Sequence, residues 1–295
     1  MRYKYKKSYL KKFFFFIFLI SFLIITLCVC LSRRYFFYSK YPSYELNDNN
    51  YFSNHSRRVD ILSEIKKFLD KAIIETKDDN GKLKKTISEE IKKKDIEEFL
   101  KKYKDPLEGI DLSGVGWKRL SKIRKGVETK NLEETKFEKW FTLNSKGNGD
   151  CLLNSISIFL KGDESLSLIL RESLCLLIMK ESIESEKPDI LLLNRLVLTD
   201  EVEGKGDIRP LTERRSWMAD IDFIFISLLI SRPLALIYNS NEGDKVVNKN
   251  VFDERGLGVK LKYKEFWTIY HHNPFLHFEP LIPPSEFEFN KPYLE

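Results

Sequence analysis

Cysteine and histidine are both scarce, at four each in 295 residues. Cys28 and Cys30 lie in an uncharged apolar run, and Cys151 and Cys175 stand far from them and from each other. Such spacing gives neither a disulfide framework nor a CxxC metal pair, which excludes a disulfide-stapled miniprotein and a structural zinc site. Glycine (13) and proline (10) are too few for a collagenous or low-complexity chain. Acidic side chains are missing from the first 40 positions, which carry nine Lys/Arg. Those nine account for the formal charge of +6, because the rest of the chain holds 41 basic against 44 acidic groups. The body is mildly acidic and has no basic stripe interleaved with aromatics, so a nucleic-acid partner is excluded. Apolar residues, by contrast, are abundant: 42% of residues are hydrophobic and 13% aromatic, ample for one core of about 150 residues with additions around it.

The longest apolar run, Phe13–Leu31, is nineteen residues without a charge. At about 1.5 Å per residue, a helix of that length crosses most of a hydrocarbon core of roughly 30 Å. Six basic residues precede it (Arg2, Lys4, Lys6, Lys7, Lys11, Lys12) and three come after (Arg33, Arg34, Lys40), a bias that favours a cytoplasmic N-terminus. The chain thus begins with a basic flank, 1–12, and a transmembrane signal-anchor, 13–32. A signal peptide cut near Cys30 or Ser32 is the alternative; the length of the run and Arg33-Arg34 after it favour the anchor. Residues 33–55 are aromatic, Ser- and Asn-rich and aperiodic, which is a linker. Its sequon Asn54-His55-Ser56 is glycosylated only if this side faces a secretory lumen.

Residues 56–136 read as a charged helical region. Leu62, Ile65, Phe68, Leu69 and Ile73, then Ile87, Ile91, Ile96 and Leu100, recur at helical spacing among Lys and Glu, and Asp79-Asn80-Gly81 divides the pattern into two helices. Asp105-Pro106 and the Gly109–Gly116 stretch mark a boundary, after which a basic segment leads to a strand at Trp140–Leu143.

That strand feeds Gly147-Asn148-Gly149-Asp150-Cys151, and then Leu152, Ile156, Phe159 and Leu160 at helical spacing. Cys151 falls at the mouth of a helix, where amides without intrahelical partners and the positive end of the dipole lower a thiol's pKa and can hold an oxyanion. A carboxylate at Asp150 opposes the thiolate electrostatically. Cys175 lies instead in the apolar stripe Leu166, Ile169, Leu170, Leu174, Leu177, Ile178 and reads as core filling. Ile190–Leu198 is apolar at mixed spacing, and Thr199–Arg215 is charged with interspersed glycine and proline, a surface loop. Trp217, Ile221, Ile224 and Leu228 give a helix face that stops before Pro233. Next come a buried strand at Leu234–Tyr238, short strands at Val246-Val247 and Val251-Phe252, and a central strand at Phe266–Tyr270.

In His277-Phe278-Glu279-Pro280-Leu281-Ile282 an extended backbone sets His277 and Glu279 on one face, about 7 Å apart along the chain. A thiol, an imidazole and an acid in that order form a cysteine-nucleophile constellation. His277 is the preferred base because it alone has an acid on its own face; His272 competes for the role, and His55 in the linker does not. For the third member, Glu279 has as alternatives Asn148 and Asp150 in the Cys loop.

The loop–Cys–helix with a distant His-aromatic-acid-x-Leu strand resembles the ovarian tumour (OTU) family of cysteine proteases over residues 137–284. Family members usually read Asp-Gly-Asn-Cys where this chain has Asn148-Gly149-Asp150-Cys151, and they end in a His-Tyr-Asp or His-Phe-x run matched by His277, Phe278, Glu279 and Leu281. The resemblance implies a papain-like α/β (α+β) fold with a small central sheet flanked by helices, and a C-terminal tail at 285–295. It implies a deubiquitinase that needs no metal or cofactor and acts on ubiquitin, a ubiquitin-like protein or polyubiquitin chains. Asp200, Glu201, Glu203 and Asp207 stand where family loops approach the arginine-bearing tail of ubiquitin. A catalytically impaired, membrane-tethered ubiquitin-binding module is the alternative, on account of the Asn148/Asp150 exchange. A structural membrane protein whose charged helices recruit partners is a third. Ubiquitin is cytosolic and nuclear, whereas the charge bias puts the domain across the membrane. A composition heavy in Lys, Asn, Ile and Phe, as AT-rich genomes give, suggests export or display toward a host's ubiquitin.

Overall fold

The computed structural model describes residues 60–77, 81, 83–114, 122–123, 137, 140–202, 206–239, 247–272, 277–284 and 293–294. The chain divides into two units, Met1–Ser56 and Arg57–Glu295. The basic flank, the membrane segment 13–32, the linker and Asn54 all lie outside the described residues. Among the described residues no helix is long and apolar enough to cross a membrane.

Helix α1 (Ile61–Asp70) starts where the Asp60 side chain accepts from the Ser63 amide and buries Ile61, Leu62, Ile65 and Leu69. The two-helix expectation for the charged region then fails in part. Ile73–Lys77 (β1) and Leu83–Ile87 (β2) form an antiparallel hairpin, and the second helix, α2, spans only Lys93–Leu100. Ile73, Ile74, Thr76, Thr86 and Ile87 are β-branched, and Asn80-Gly81 between them is a hairpin signal as much as a helix break. The hairpin is tied to the body, because the Ile87 amide donates to Asn194 Oδ1 at 2.7 Å. Nor does Asp105-Pro106 separate the region from the rest of the chain. Asp105 accepts from Ser173 Oγ at 2.8 Å, and α1, α2 and the helices below share one apolar core.

That core is built on three consecutive helices, α3 (Cys151–Lys161), α4 (Ser167–Glu181) and α5 (Ile190–Val197), with α6 (Asp220–Leu229) beside α4. Helix α4 is buried nearly all round and carries Arg171, Glu172 and Ser173 inward with its leucines. In α6 the buried apolar side chains are Phe223, Phe225 and Ile226, with Ile230 at the C-cap, while Ile221 is exposed. The expected face of Trp217, Ile221, Ile224 and Leu228 is therefore buried only in part: Leu228 packs against the core, and Ile221 faces out. Trp217 precedes a helix that begins only at Asp220, and its dense run of apolar residues gives little spacing by which to choose a face.

The sheet comprises β4 (Phe141–Thr142), β7 (Leu234–Asn239), β8 (Val247–Phe252), β9 (Trp267–His272) and β10 (His277–Ile282), in the order β4-β10-β9-β7-β8. Strands β7 and β9 are parallel and the other neighbours antiparallel, a mixed α/β arrangement in which β9 is central. On one face, Trp267, Ile269, Phe278 and Ile282 join the helical core; Tyr270 and Leu281 on the other pack with Phe137 and Ile237. Phe159 stacks on Trp267 at 4.6 Å between ring centres, and Arg232 lies over the same indole at 4.5 Å. The short helix α7 (Glu254–Leu257) precedes β9.

Two further expectations change. Thr199–Arg215 is not a loop throughout: Asp200–Val202 (β5) pairs antiparallel with Gly206–Ile208 (β6), while Leu211, Thr212 and Ser216 after it are buried. The C-terminal tail contributes Tyr293–Leu294 (β11), paired in parallel with Lys122–Ile123 (β3).

Candidate active site

Cys151 is the first residue of α3, and the helix's N-cap, Asp150, makes no side-chain cap. The first-turn amides are thus not occupied by the Asp150 carboxylate, and the thiol stands at the positive end of the helix dipole. The loop before it is shaped by Gly149, at φ +86° with its α-carbon against the Arg215 carbonyl. A β-carbon there would sit 2.0 Å from that oxygen, so only glycine fits.

The strand side is fixed to α3 through one carbonyl. Phe278 O accepts from Ser155 Oγ on α3 at 3.1 Å and from Ser145 Oγ in the Cys loop at 2.5 Å. Phe278 lies between His277 and Glu279, so both serines lock the helix to the strand at the site itself. The register then aims the side chains. His277 Nε2 stands 3.4 Å from Glu279 Oε1 on the same face of β10, which leaves Nδ1 as the nitrogen for the thiol. Gly147 passes beside that nitrogen, its β-position 3.6 Å from Nδ1. All three of Cys151, His277 and Glu279 are buried.

Burial is the largest influence on His277 and disfavours its charged form. The hydrogen bonds and charges of Cys151 and Glu279 outweigh it and bring the imidazole to about 9 from its ordinary 6.5. Burial likewise pushes Glu279 up, but hydrogen bonds from His272 and His277, with their charges, hold it below the usual carboxylate range. The thiol therefore stands beside an imidazole that retains its proton at neutral pH. By contrast, burial pushes the Cys175 thiol up to about 12.

The two alternative orienting groups are engaged elsewhere. Asn148 Oδ1 accepts from the Asp150 amide at 3.2 Å and from Asn154 Nδ2 at 3.3 Å, inside the loop. Asp150 Oδ1 accepts from Arg171 Nη2 at 2.5 Å and Nε at 3.1 Å, and from the Arg215 amide at 3.3 Å. Arg171 also donates to the carbonyls of Leu211 and Ser216. The carboxylate beside the nucleophile is therefore neutralised by a buried guanidinium, which ties the Cys loop to the 209–217 segment. Arg195 repeats the device one helix on, pairing with Asp222 at 2.8 Å and donating to the carbonyls of Arg209 and Trp217.

Sequence reasoning missed Arg171 and the second partner of Glu279. Arg171 sits within an apolar stripe, where a charge reads as the solvent edge of the helix. His272, a rival base on sequence grounds, lies instead on the far side of the acid, its Nε2 3.1 Å from Glu279 Oε2. Paired period-2 patterns at 266–272 and 277–282 are the signal that could have found it. The side chains of Asp200, Glu201, Glu203 and Asp207 lie outside the described residues.

No protein-family model matches the chain, and no curated protein matches it. Among solved structures, the chain is similar to the OTU domain of OTUD1, with a TM-score of 0.37, 13% identity, and coverage of 49% of this chain and 86% of that one. It is also similar to the viral OTU domain protease of Dera Ghazi Khan virus, with a TM-score of 0.31, 10% identity, and coverage of 54% and 94%. Each of the two similarities covers about half of this chain.

Proposed function

We propose that this chain is a thiol-dependent deubiquitinating protease. The observation that carries the reading is the buried series Cys151–His277–Glu279, with the thiol at an uncapped helix N-terminus and the acid 3.4 Å behind the imidazole. The Cys151 thiolate attacks the carbonyl carbon at the C-terminal glycine of ubiquitin or a ubiquitin-like protein in an isopeptide bond. Amides of the Cys loop and of the first turn of α3 stabilise the oxyanion. His277 gives its proton to the departing lysine amine, leaving a thioester on Cys151. It then takes a proton from water, whose hydroxide attacks the thioester, and the thiolate is released. Glu279 holds the ring so that Nδ1 faces sulfur throughout.

The substrate class comes from the resemblance to OTU proteases, and the chemistry from the side chains. The competing reading, a ubiquitin-binding module without turnover, is motivated by the Asn148/Asp150 exchange; the Asp150–Arg171 pair weakens that motive by removing the unpaired charge next to the thiol. A full-length ubiquitin carrying a thiol-reactive group at its C-terminus separates the two. The protease reading expects a covalent adduct at Cys151 that is lost in Cys151→Ala. Saturable binding without an adduct supports the module, and absence of both removes ubiquitin as the ligand.

A further inference from the structure

The Glu279 carboxylate has two sides, and each faces a histidine. Oε1 is directed at His277 Nε2, 3.4 Å away, and Oε2 at His272 Nε2, at the shorter distance of 3.1 Å. The arrangement is written into the sheet. His277 and His272 are register partners on the antiparallel β10 and β9, so their side chains leave the same face. Glu279, two residues along β10, shares that face and lies between them. The imidazole ring centres are 5.6 Å apart.

We propose that His272 is a positioning residue, which holds the Glu279 carboxylate in the orientation that lets its other oxygen serve His277. The proposal rests on the reading of Cys151 and His277 as a reactive pair, though not on the identity of the substrate. Glutamate has one more rotatable bond than aspartate, and a buried carboxylate with a single donor can turn about its side chain to track that donor. A second N–H donor on the opposite oxygen fixes both the χ angles and the plane of the group. The carboxylate also fixes His272 with its proton on Nε2. His272 touches neither the thiol nor any reacting atom; it acts through Glu279.

The other titratable groups around this set are accounted for. Cys151 approaches His277 from the start of α3. Tyr270 on β9 meets the His272 ring edge-on, with centres 4.4 Å apart. His271 stacks on Phe278 on the opposite face of the strands at 4.6 Å. Asp150 is bound to Arg171. The ring contact with Tyr270 is the competing account of His272, as a packing residue.

The pH profile of Cys151 alkylation by iodoacetate, an anion that a His277 imidazolium attracts, decides between the two in the full chain and requires no ubiquitin. On the reading of Cys151 and His277 as a reactive pair, alkylation is confined to a pH window that closes at its upper limb as His277 releases its proton. Removing the donor on Oε2 frees Glu279 from His277, so the lower limb should rise and the upper limb fall. The expected result is a window narrowed by about half a pH unit or more at each limb in His272→Ala and His272→Phe, about threefold in the population of the ion pair at the old limbs, and restored in His272→Gln, which keeps an N–H donor. Phe keeps a ring beside Tyr270 and Gln does not, so a wild-type window in Phe with a narrowed one in Gln overturns the proposal in favour of packing. Wild-type windows in all three variants, or narrowed windows in all three, overturn it as well. Should His272→Ala fail to fold, the contrast between Phe and Gln is sufficient to decide. If wild-type Cys151 shows no window at all, the reactive pair is what has failed; if the window is present but the ubiquitin reagent does not react, only the substrate has.

Discussion

The Arg171 guanidinium lies 2.5 Å from the Asp150 carboxylate, which immediately precedes the candidate nucleophile. Asp150 is thereby held by Arg171 and makes no side-chain cap on the helix that Cys151 opens. The pair also determines where the 209–217 segment lies, through the Leu211 and Ser216 carbonyls.

Replacing Arg171 by methionine keeps most of the volume and leaves a largely buried carboxylate, with two carbonyls, lacking their donor. Breaking a buried pair from one side costs about 3–5 kcal/mol, so the urea midpoint should fall steeply. Alkylation of Cys151 should slow as well, because the freed charge opposes the thiolate. An unchanged midpoint and an unchanged rate together would refute this account of the Cys loop.

Gly149→Ala tests the loop's shape. At φ +86° an alanine is strained, and its β-carbon meets the Arg215 carbonyl. The backbone term alone is about 1–3 kcal/mol, and relief of the clash must move either Arg215 or the Cys loop. Thermal unfolding should register the lost stability, and reaction of Cys151 should fall by more than stability explains. A variant as stable and as reactive as wild type contradicts the close approach.

The charged pair gives stability a defined pH dependence. His277 has a folded value of about 9, above its ordinary 6.5, so its contribution is complete below 6.5 and is lost as pH rises through about 9. Glu279 is held below its ordinary 4.5; its contribution is complete above that value and disappears as pH falls below it. The stability difference between wild type and Glu279→Gln should therefore be largest between about pH 5 and 6.5 and shrink toward pH 9 and above. Melting curves across that range check it, and a difference that is flat with pH, or that grows toward alkaline pH, would count against the assignment.

The parts of this site that are local in sequence were legible there. A two-glycine loop before an apolar helix located Cys151, and the period-2 alternation of β10 put His277 and Glu279 on one face. Pairings between elements were not legible. His272 reaches Glu279 only through the β9–β10 register, and Arg171 reaches Asp150 only because α4 is buried on nearly every side, which turns a charge in an apolar stripe inward instead of outward. The β1–β2 hairpin was hidden for another reason. Ile73 and Ile87 satisfy helical spacing within a Lys- and Glu-rich stretch, and the β-branched residues on either side of the Asp79-Asn80-Gly81 sequence compete with that pattern without displacing it.

The central claim is that Cys151 and His277 cleave an isopeptide bond, and turnover of isopeptide-linked diubiquitin by the full-length chain tests it most directly. Wild type and Cys175→Ala should both release monoubiquitin, since Cys175 is a core thiol held at about 12. Cys151→Ala and His277→Ala should lose about three orders of magnitude or more, while Glu279→Gln loses one to three, roughly 1.4–4 kcal/mol of transition-state stabilisation. Cleavage that persists in Cys151→Ala, or that is abolished in Cys175→Ala while the fold remains intact, would contradict the account.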